Sequence, residues 1–262
     1  MRLTSIIRIF IKNVLGLEIY RVQSLPENPF FSRKKNYLVE TDPFFNETYN
    51  EGLLESGTPE GDVNRRLRFY NLAHLLQQTG GLRGIVAECG CWRGLSSFIL
   101  CRYLSRFQEG FRGKDYHIID SFQGLSSPES HDLINDKEVT GAITPRPAQL
   151  RGAFAADLEH VRRTLRQYPL VTYHKGWIPA VLGDLPEAVY RFVHLDVDFY
   201  GPTRGAIEYF YPRLTDGGIL VCDDYGSLSW PGAKKAVDDY CRISDLLPLV
   251  LSTGQAILWK RS

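Results

Sequence analysis

The sequence has no excess of charge of either sign: 31 Lys and Arg stand against 30 Asp and Glu, a formal net charge of +1. No global field therefore draws it to nucleic acid or to an anionic membrane. Cysteine is sparse. Cys89, Cys91, Cys101, Cys222 and Cys241 are odd in number and show neither C-x-x-C nor zinc-ribbon spacing. They read as reduced thiols of a cytoplasmic protein, with Cys89 and Cys91 packing in a loop. No run approaches the roughly 20 apolar residues that a membrane span needs, and there is no internal repeat or low-complexity tract. What is there, 44% hydrophobic and 23% charged residues in a chain of 262, is the composition of a folded globular protein, long enough for one large α/β domain or two small ones, with a sizeable core either way.

The first twenty residues are basic and apolar, but Arg8 and Lys12 interrupt the apolar run and no small-residue cleavage site follows, so they do not read as a signal peptide. Leu3, Ile6, Ile7, Phe10, Ile11, Val14 and Leu17 recur at helical spacing. This amphipathic helix is expected to pack on the body of the protein or on a second subunit, weak contact with a membrane surface being the lesser alternative. Residues 23–50 carry Pro and Asn and few periodic apolar positions, the pattern of an irregular connector. Residues 1–61 are thus expected as helix plus connector, and residues 62–262 as the folded domain.

From residue 63 onward, helical patterns alternate with short apolar runs. Helices are expected over 63–78, 95–104, 155–167 and 232–241, and another beginning near Pro202. Strands are expected over 85–88, 116–120, 171–174, 192–196 and 218–222, with a closing pair at 248–251 and 256–260. Continuous apolar runs, rather than in-out alternation, are how strands buried on both faces of a parallel sheet read. A three-layer α/β sandwich follows. In such a sheet ligands bind beyond the carboxyl ends of the strands, which here carry Glu88, Asp120, Lys175, Asp196 with Asp198, and Asp223 with Asp224.

The first strand enters a turn of the form Glu88-x-Gly90-x-x-x-Gly94. A dinucleotide fingerprint needs G-x-G-x-x-G, but Glu88 stands where its first glycine belongs and the glycines are four apart. A carboxylate in this loop repels a pyrophosphate and suits a cationic ligand such as S-adenosylmethionine, while the helix that follows offers N–H groups to a carboxylate. Gly90 permits the tight turn and Gly94 a close approach to a ligand. Asp120, ending the second strand, is placed to accept both hydroxyls of a ribose. The alternative for this loop is a structural strand-to-helix corner.

Two further strand ends, His194-Leu-Asp196-Val-Asp198 and Cys222-Asp223-Asp224, converge up to four carboxylates between neighbouring strands, where unpaired charges repel. Oxygen ligands from Asp196, Asp223 and Asp224 fit a hard divalent ion, and Mg²⁺ leaves coordination positions for a substrate hydroxyl. Asp196 is the candidate base, with Asp198 second if the chain stays extended. The competing reading is that Asp198 or Thr203 caps the helix near Pro202. His117, His174 and His194 read as core or supporting groups rather than ligands.

The sequence resembles the macrocin O-methyltransferase family, metal-dependent class I methyltransferases that act on sugar hydroxyls of antibiotics. The resemblance is carried by Glu88-x-Gly90-x-Trp92-Arg93-Gly94, Asp120-Ser-Phe-Gln-Gly-Leu125, Lys175-Gly-Trp-Ile-Pro179, Asp196-Val-Asp-Phe-Tyr-x-x-Thr203, Tyr211-Pro-Arg-Leu-x-x-Gly-Gly218 and Asp223-Asp-Tyr-Gly226 with Pro231-Gly-Ala-x-x-Ala236. It implies a Rossmann-like seven-stranded, mostly parallel sheet with an antiparallel last strand, S-adenosylmethionine as methyl donor, Mg²⁺ as activator, a glycosylated small-molecule acceptor and a homodimer. By position it gives Asp196, Asp223 and Asp224 the metal and Asp196 the base. Glu88, Cys89, Gly90, Gly94, Ser96, Asp120 and Ser121 take the cofactor, with Gly176 and Trp177 at the adenine, and residues 126–151 are the lid over the acceptor. Two other functions remain open at this point: a glycosyltransferase using Asp196-Val-Asp198 as a metal-holding D-x-D, and a non-catalytic S-adenosylmethionine-binding scaffold.

Overall fold

The computed structural model describes residues 38–133 and 151–261. They fall into two units, one ending at Glu40, of which only residues 38–40 are described, and one running from Thr41 onward. The amphipathic helix expected before residue 20 and residues 134–150 of the expected lid lie outside the described residues.

Seven strands, β1 (Ile85–Cys89), β2 (Tyr116–Asp120), β3 (Thr172–Lys175), β4 (Tyr190–Leu195), β5 (Leu214–Cys222), β6 (Leu249–Val250) and β7 (Ala256–Trp259), form one sheet in the order β3-β2-β1-β4-β5-β7-β6. Pairings among β1 to β5 are parallel, and β7, the last strand, is antiparallel to both of its neighbours. This is the expected sandwich. The central strands read as continuous apolar runs because both faces are covered: every residue of β4 is buried.

Six labelled helices flank the sheet: α1 (Pro43–Ser56), α2 (Val63–Gln78), α3 (Leu95–Phe107), α4 (Leu158–Thr164), α5 (Tyr200–Phe210) and α6 (Pro231–Ile243). On one side α5 and α6 bury Ala206, Ile207, Phe210, Val237 and Tyr240 against Val193, Leu195 and Leu220 of the sheet. On the other side α1 and α2 pack on α3, and α4 packs on α1.

The stretch expected as an irregular connector, 23–50, is helical where it is described, in a one-turn helix Leu38–Thr41 and in α1. Its Pro and polar residues are helix-start signals rather than loop signals. The Asp42 carboxylate accepts the Phe45 N–H at 3.0 Å, and Pro43 takes the first turn, where a missing N–H costs nothing. Phe45 and Tyr49 are fully buried, so α1 adds to the core.

Order reverses between β1 and β4, which opens the crevice at their carboxyl ends. Register makes the convergence sharp. Leu195 of β4 pairs with Cys89 on one side and Cys222 on the other, so the next residues, Gly90, Asp196 and Asp223, emerge side by side. Gly90 has a left-handed φ of 80°, and a Cβ there would lie 1.9 Å from the Asp196 carbonyl oxygen. Only glycine fits. Gly90→Ala is expected to cost on the order of 3 kcal/mol through strain and overlap. Calorimetry should register this as a clear fall in Tm, and an unchanged Tm would mean that the two strand ends do not approach this closely.

Candidate active site

A cavity of about 310 Å³ lies over the strand ends. Of the residues expected to meet a cofactor, Gly90, Ser96, Asp120, Ser121, Gly176 and Trp177 line it. Asp120 anchors this side. One carboxylate oxygen accepts the Cys91 N–H at 2.8 Å and the other the Phe122 N–H at 2.7 Å. The same carboxylate therefore ties the turn after β1 to the turn after β2 and keeps a lone pair on each oxygen for a ligand hydroxyl. Trp177 is 41% exposed and lines the cavity.

Glu88, Cys89 and Gly94 do not line the cavity. Glu88 was expected to meet a cationic ligand, but it is fully buried and both its oxygens are engaged within the protein. Tyr116 OH donates to it at 2.8 Å, His194 Nδ1 at 3.1 Å, and Ser97 Oγ donates as well. A carboxylate removed from water needs such partners, and here they leave it nothing to offer a ligand. Cys89 is a buried thiol, its pKa pushed well up by burial and then by Glu88. Gly94 has a left-handed φ of 85° at the start of α3, and a Cβ there would meet Val161 and Thr164 of α4 at 3.4 Å rather than a ligand.

The acid cluster forms, with a different composition from the one expected. Asp196, Asp198 and Asp224 each bring a carboxylate oxygen within 4.8 Å of the others, and all three line the cavity. Asp223, expected as a ligand, does not line it. Its oxygens are taken by Arg68 Nη2 at 2.6 Å and by Gln255 Nε2 at 2.8 Å, with His194 Nε2 at 3.8 Å. A second group of possible metal ligands is therefore His194, Asp196 and Asp223.

Asp198 reaches the cluster by a route different from the extended chain expected. β4 stops at Leu195, and Asp198 has a left-handed φ of 60° in a tight turn where Phe199 N–H donates to the Val197 carbonyl at 2.6 Å. Neither Asp198 nor Thr203 caps α5. Its first free N–H, that of Tyr200, is accepted by Asp132 at 2.7 Å from 68 residues away. That leaves Asp198 to the cavity.

Electrostatics follow from this crowding. Burial first, then mutual repulsion, raises the carboxyls of Asp196, Asp198 and Asp224 above the usual range, the last two by much more. Burial acts the same way on Asp223, but His194 and Arg68 outweigh it and hold that carboxyl below its usual value. Burial works against charge on His194, yet the two neighbouring carboxylates, Asp223 3.8 Å from Nε2 and Glu88 hydrogen-bonded to Nδ1 at 3.1 Å, push its pKa up to about 10. His194 is thus a buried group held by Glu88 and facing Asp223, outside the lining of the cavity. His117 and His174 pair with each other at 3.0 Å away from the cluster.

The sequence did not point to Arg68, Asp132 or the aromatic wall. Phe154 packs edge to face on Trp92 at 5.5 Å and on Trp230 at 6.4 Å, and Trp230 on Phe199 at 5.8 Å, all four lining the cavity. Arg68 did leave a trace, since it stands four residues before the buried Leu72 and eight before Leu76 on the inward stripe of α2. Asp132 left none.

The model of the macrocin O-methyltransferase family matches residues 63–261. The chain belongs to this family. Among curated relatives, the 8-demethyl-8-(2,3-dimethoxy-alpha-L-rhamnosyl)-tetracenomycin-C 4'-O-methyltransferase of Streptomyces olivaceus is 30% identical, with 74% of this chain and 73% of that one covered. The demethyldecarbamoylnovobiocin O-methyltransferase of Streptomyces niveus is 29% identical over 88% of this chain and 87% of that one. Among solved structures, the O-methyltransferase NovP aligns with a TM-score of 0.62 at 23% identity, over 82% of this chain and 90% of that one. A calicheamicin methyltransferase aligns with a TM-score of 0.61 at 17% identity, over 83% and 93%. These two likenesses concern the fold, which is that of class I O-methyltransferases. Family membership makes the chain an O-methyltransferase and sets aside both the D-x-D glycosyltransferase and the non-catalytic scaffold. Among the described residues no helix is long and apolar enough to cross a membrane.

A group whose folded pKa is raised stabilises the fold below its unfolded pKa and loses that contribution as pH rises through the folded value. For His194 the loss is complete above about pH 10, and for Asp196, Asp198 and Asp224 it begins just above the usual carboxylate range. Asp223 runs the other way, but only at acid pH. His117 and His174, whose pKa burial lowers, run the other way below about pH 6.5, so cation-free protein is expected to show a Tm that falls between about pH 6.5 and pH 10. A Tm that is flat or rises over that range in chelator-treated samples would contradict the charge assignments.

Proposed function

We propose that this O-methyltransferase transfers the methyl group of S-adenosylmethionine to a sugar hydroxyl of a glycosylated small molecule, with dependence on Mg²⁺. The observation that carries the reading is the acid cluster Asp196, Asp198 and Asp224, opening into the same cavity as the Asp120 loop. Two relatives support the acceptor class by name, the tetracenomycin enzyme above and the mycinamicin III 3''-O-methyltransferase of Micromonospora griseorubida, 29% identical over 74% of this chain. The fold and the lining of Gly90, Ser96, Asp120, Ser121, Gly176 and Trp177 support the methyl donor.

The residues fit a hard divalent ion. Asp224 Oδ2 is buried with no hydrogen-bond partner, and an all-oxygen set of convergent carboxylates suits Mg²⁺. Asp196 and Asp224 would hold it, with Asp198 in reach and Asp223 joining where Arg68 lets it go. When bound, such an ion supplies Lewis acidity that makes a ligated hydroxyl easier to deprotonate.

The chain's own groups do the rest. Asp120 and the loop it pins fix the donor side, and the Trp92, Phe154 and Trp230 wall excludes water and gives the acceptor apolar surface. Asp196, the least buried of the three cluster acids and the one whose carboxyl is raised least, takes the hydroxyl proton as the oxygen attacks the methyl carbon. The carbon–oxygen bond forms as the carbon–sulfur bond breaks. Residues 62–262 act as the catalytic domain and 126–151 as the acceptor lid in this reading, and the enzyme is expected to be a cytoplasmic homodimer.

Asp196→Asn and Asp224→Asn are each expected to lower kcat by about 10³-fold or more. Calorimetric affinity for S-adenosylhomocysteine should stay within a few fold of wild type in both. Turnover at the wild-type rate in either variant would overturn the assignment, as would failure of the wild-type protein to bind S-adenosylhomocysteine.

A further inference from the structure

The acid cluster comes with a cation of its own. Arg68 points inward from α2, its Nη2 2.6 Å from Asp223 and its Nη1 3.9 Å from Asp224. Asp196 and Asp198 also act on its charge. Its Nε is buried with no hydrogen-bond partner, so the fork is not closed on one carboxylate in the two-bond geometry that arginine favours. The side chain is about a quarter exposed and lines the cavity. The other basic side chain in this group among the described residues, His194, is shared with Glu88. Arg68 is thus the counter-ion that reaches the acid cluster from α2, in contact with Asp223 and beside Asp224, whose Oδ2 has no partner.

An ion seated among Asp196, Asp198 and Asp224 would share Asp224 with this guanidinium, and two positive charges a few ångströms apart oppose each other. Resting on the cation-dependent reading above, we propose that Arg68 is the resident counter-ion of the acid cluster, competing with the divalent cation and releasing Asp223 when the cation enters. The arginine then has two effects. It keeps the carboxylates together when no ion is present, and it lowers the affinity with which the ion is held. Arg68 is in this sense a positioning residue, acting on the ion site through Asp223 and Asp224.

The test is calorimetric titration of Mn²⁺ and of Mg²⁺ into chelator-stripped wild type, R68Q, R68M and R68K, with Tm measured with and without the ion. The glutamine keeps a hydrogen-bond donor for Asp223 and so remains informative where the methionine variant does not fold. Loss of the charge is expected to tighten ion binding by about tenfold in R68Q and R68M. Both should also show a lower ion-free Tm and a larger rise on adding the ion, with R68K close to wild type. Ion affinity in the neutral variants equal to or weaker than a measurable wild-type affinity would overturn the role of Arg68 and leave the cation site standing. No ion binding by the wild type or by any variant would overturn both.

Discussion

The structure is organised around like charge confined in a small, dry volume. Parallel register brings the ends of β1, β4 and β5 level, and that places Asp196, Asp198, Asp223 and Asp224 together with little water between them. Such an arrangement persists only if it is compensated. The surrounding residues act accordingly: Arg68 reaches in from α2, Gln255 donates from the turn before β7, and His194, its pKa pushed up by its neighbours, lies between Asp223 and Glu88. Glu88, itself buried, is made tolerable by Ser97, Tyr116 and the same histidine. A chain of interacting ionisable groups runs from the middle of the sheet to the cavity floor.

Compensation is incomplete on the cavity side, and function follows from that. Asp223 is satisfied, whereas Asp224 keeps an unpartnered oxygen and Asp198 is held in a left-handed turn. The donor side lacks this frustration. There Asp120 uses both oxygens to brace two loops, an arrangement that needs no ligand to be stable. One half of the cavity is preformed, and the other is held in tension until a positive charge arrives.

The fold was legible because its signals are local and consistent: continuous apolar runs for buried parallel strands, alternating with stretches of helical periodicity such as that of α2. α1 was misread because Pro43 and Asp42 serve helix starts and loops alike, and its buried ring pair Phe45 and Tyr49 is too short a signal to decide. In the site, four of the residues read at strand ends, Asp120, Asp196, Asp198 and Asp224, converge on the cavity, and Glu88, Lys175 and Asp223 do not line it. What the sequence could not say is which carboxylates face the ligand and which are consumed inside. Glu88 looks like a ligand in one dimension, and only its partners Ser97, Tyr116 and His194 show it to be occupied, while Asp223 is engaged by Arg68 and Gln255 and still falls in the second group of possible metal ligands. Asp132 was invisible for the same reason, since its cap crosses 68 residues.

The account's central claim is that Asp196 and Asp224 hold a divalent cation next to a donor site braced by Asp120. The most direct test is a crystal structure grown with Mn²⁺ and S-adenosylhomocysteine, with the manganese located by its anomalous scattering. The account predicts a strong peak in contact with Asp196 and Asp224, and the nucleoside against Asp120. S-adenosylhomocysteine bound with no manganese peak at these carboxylates, or with the peak elsewhere on the protein, would contradict it.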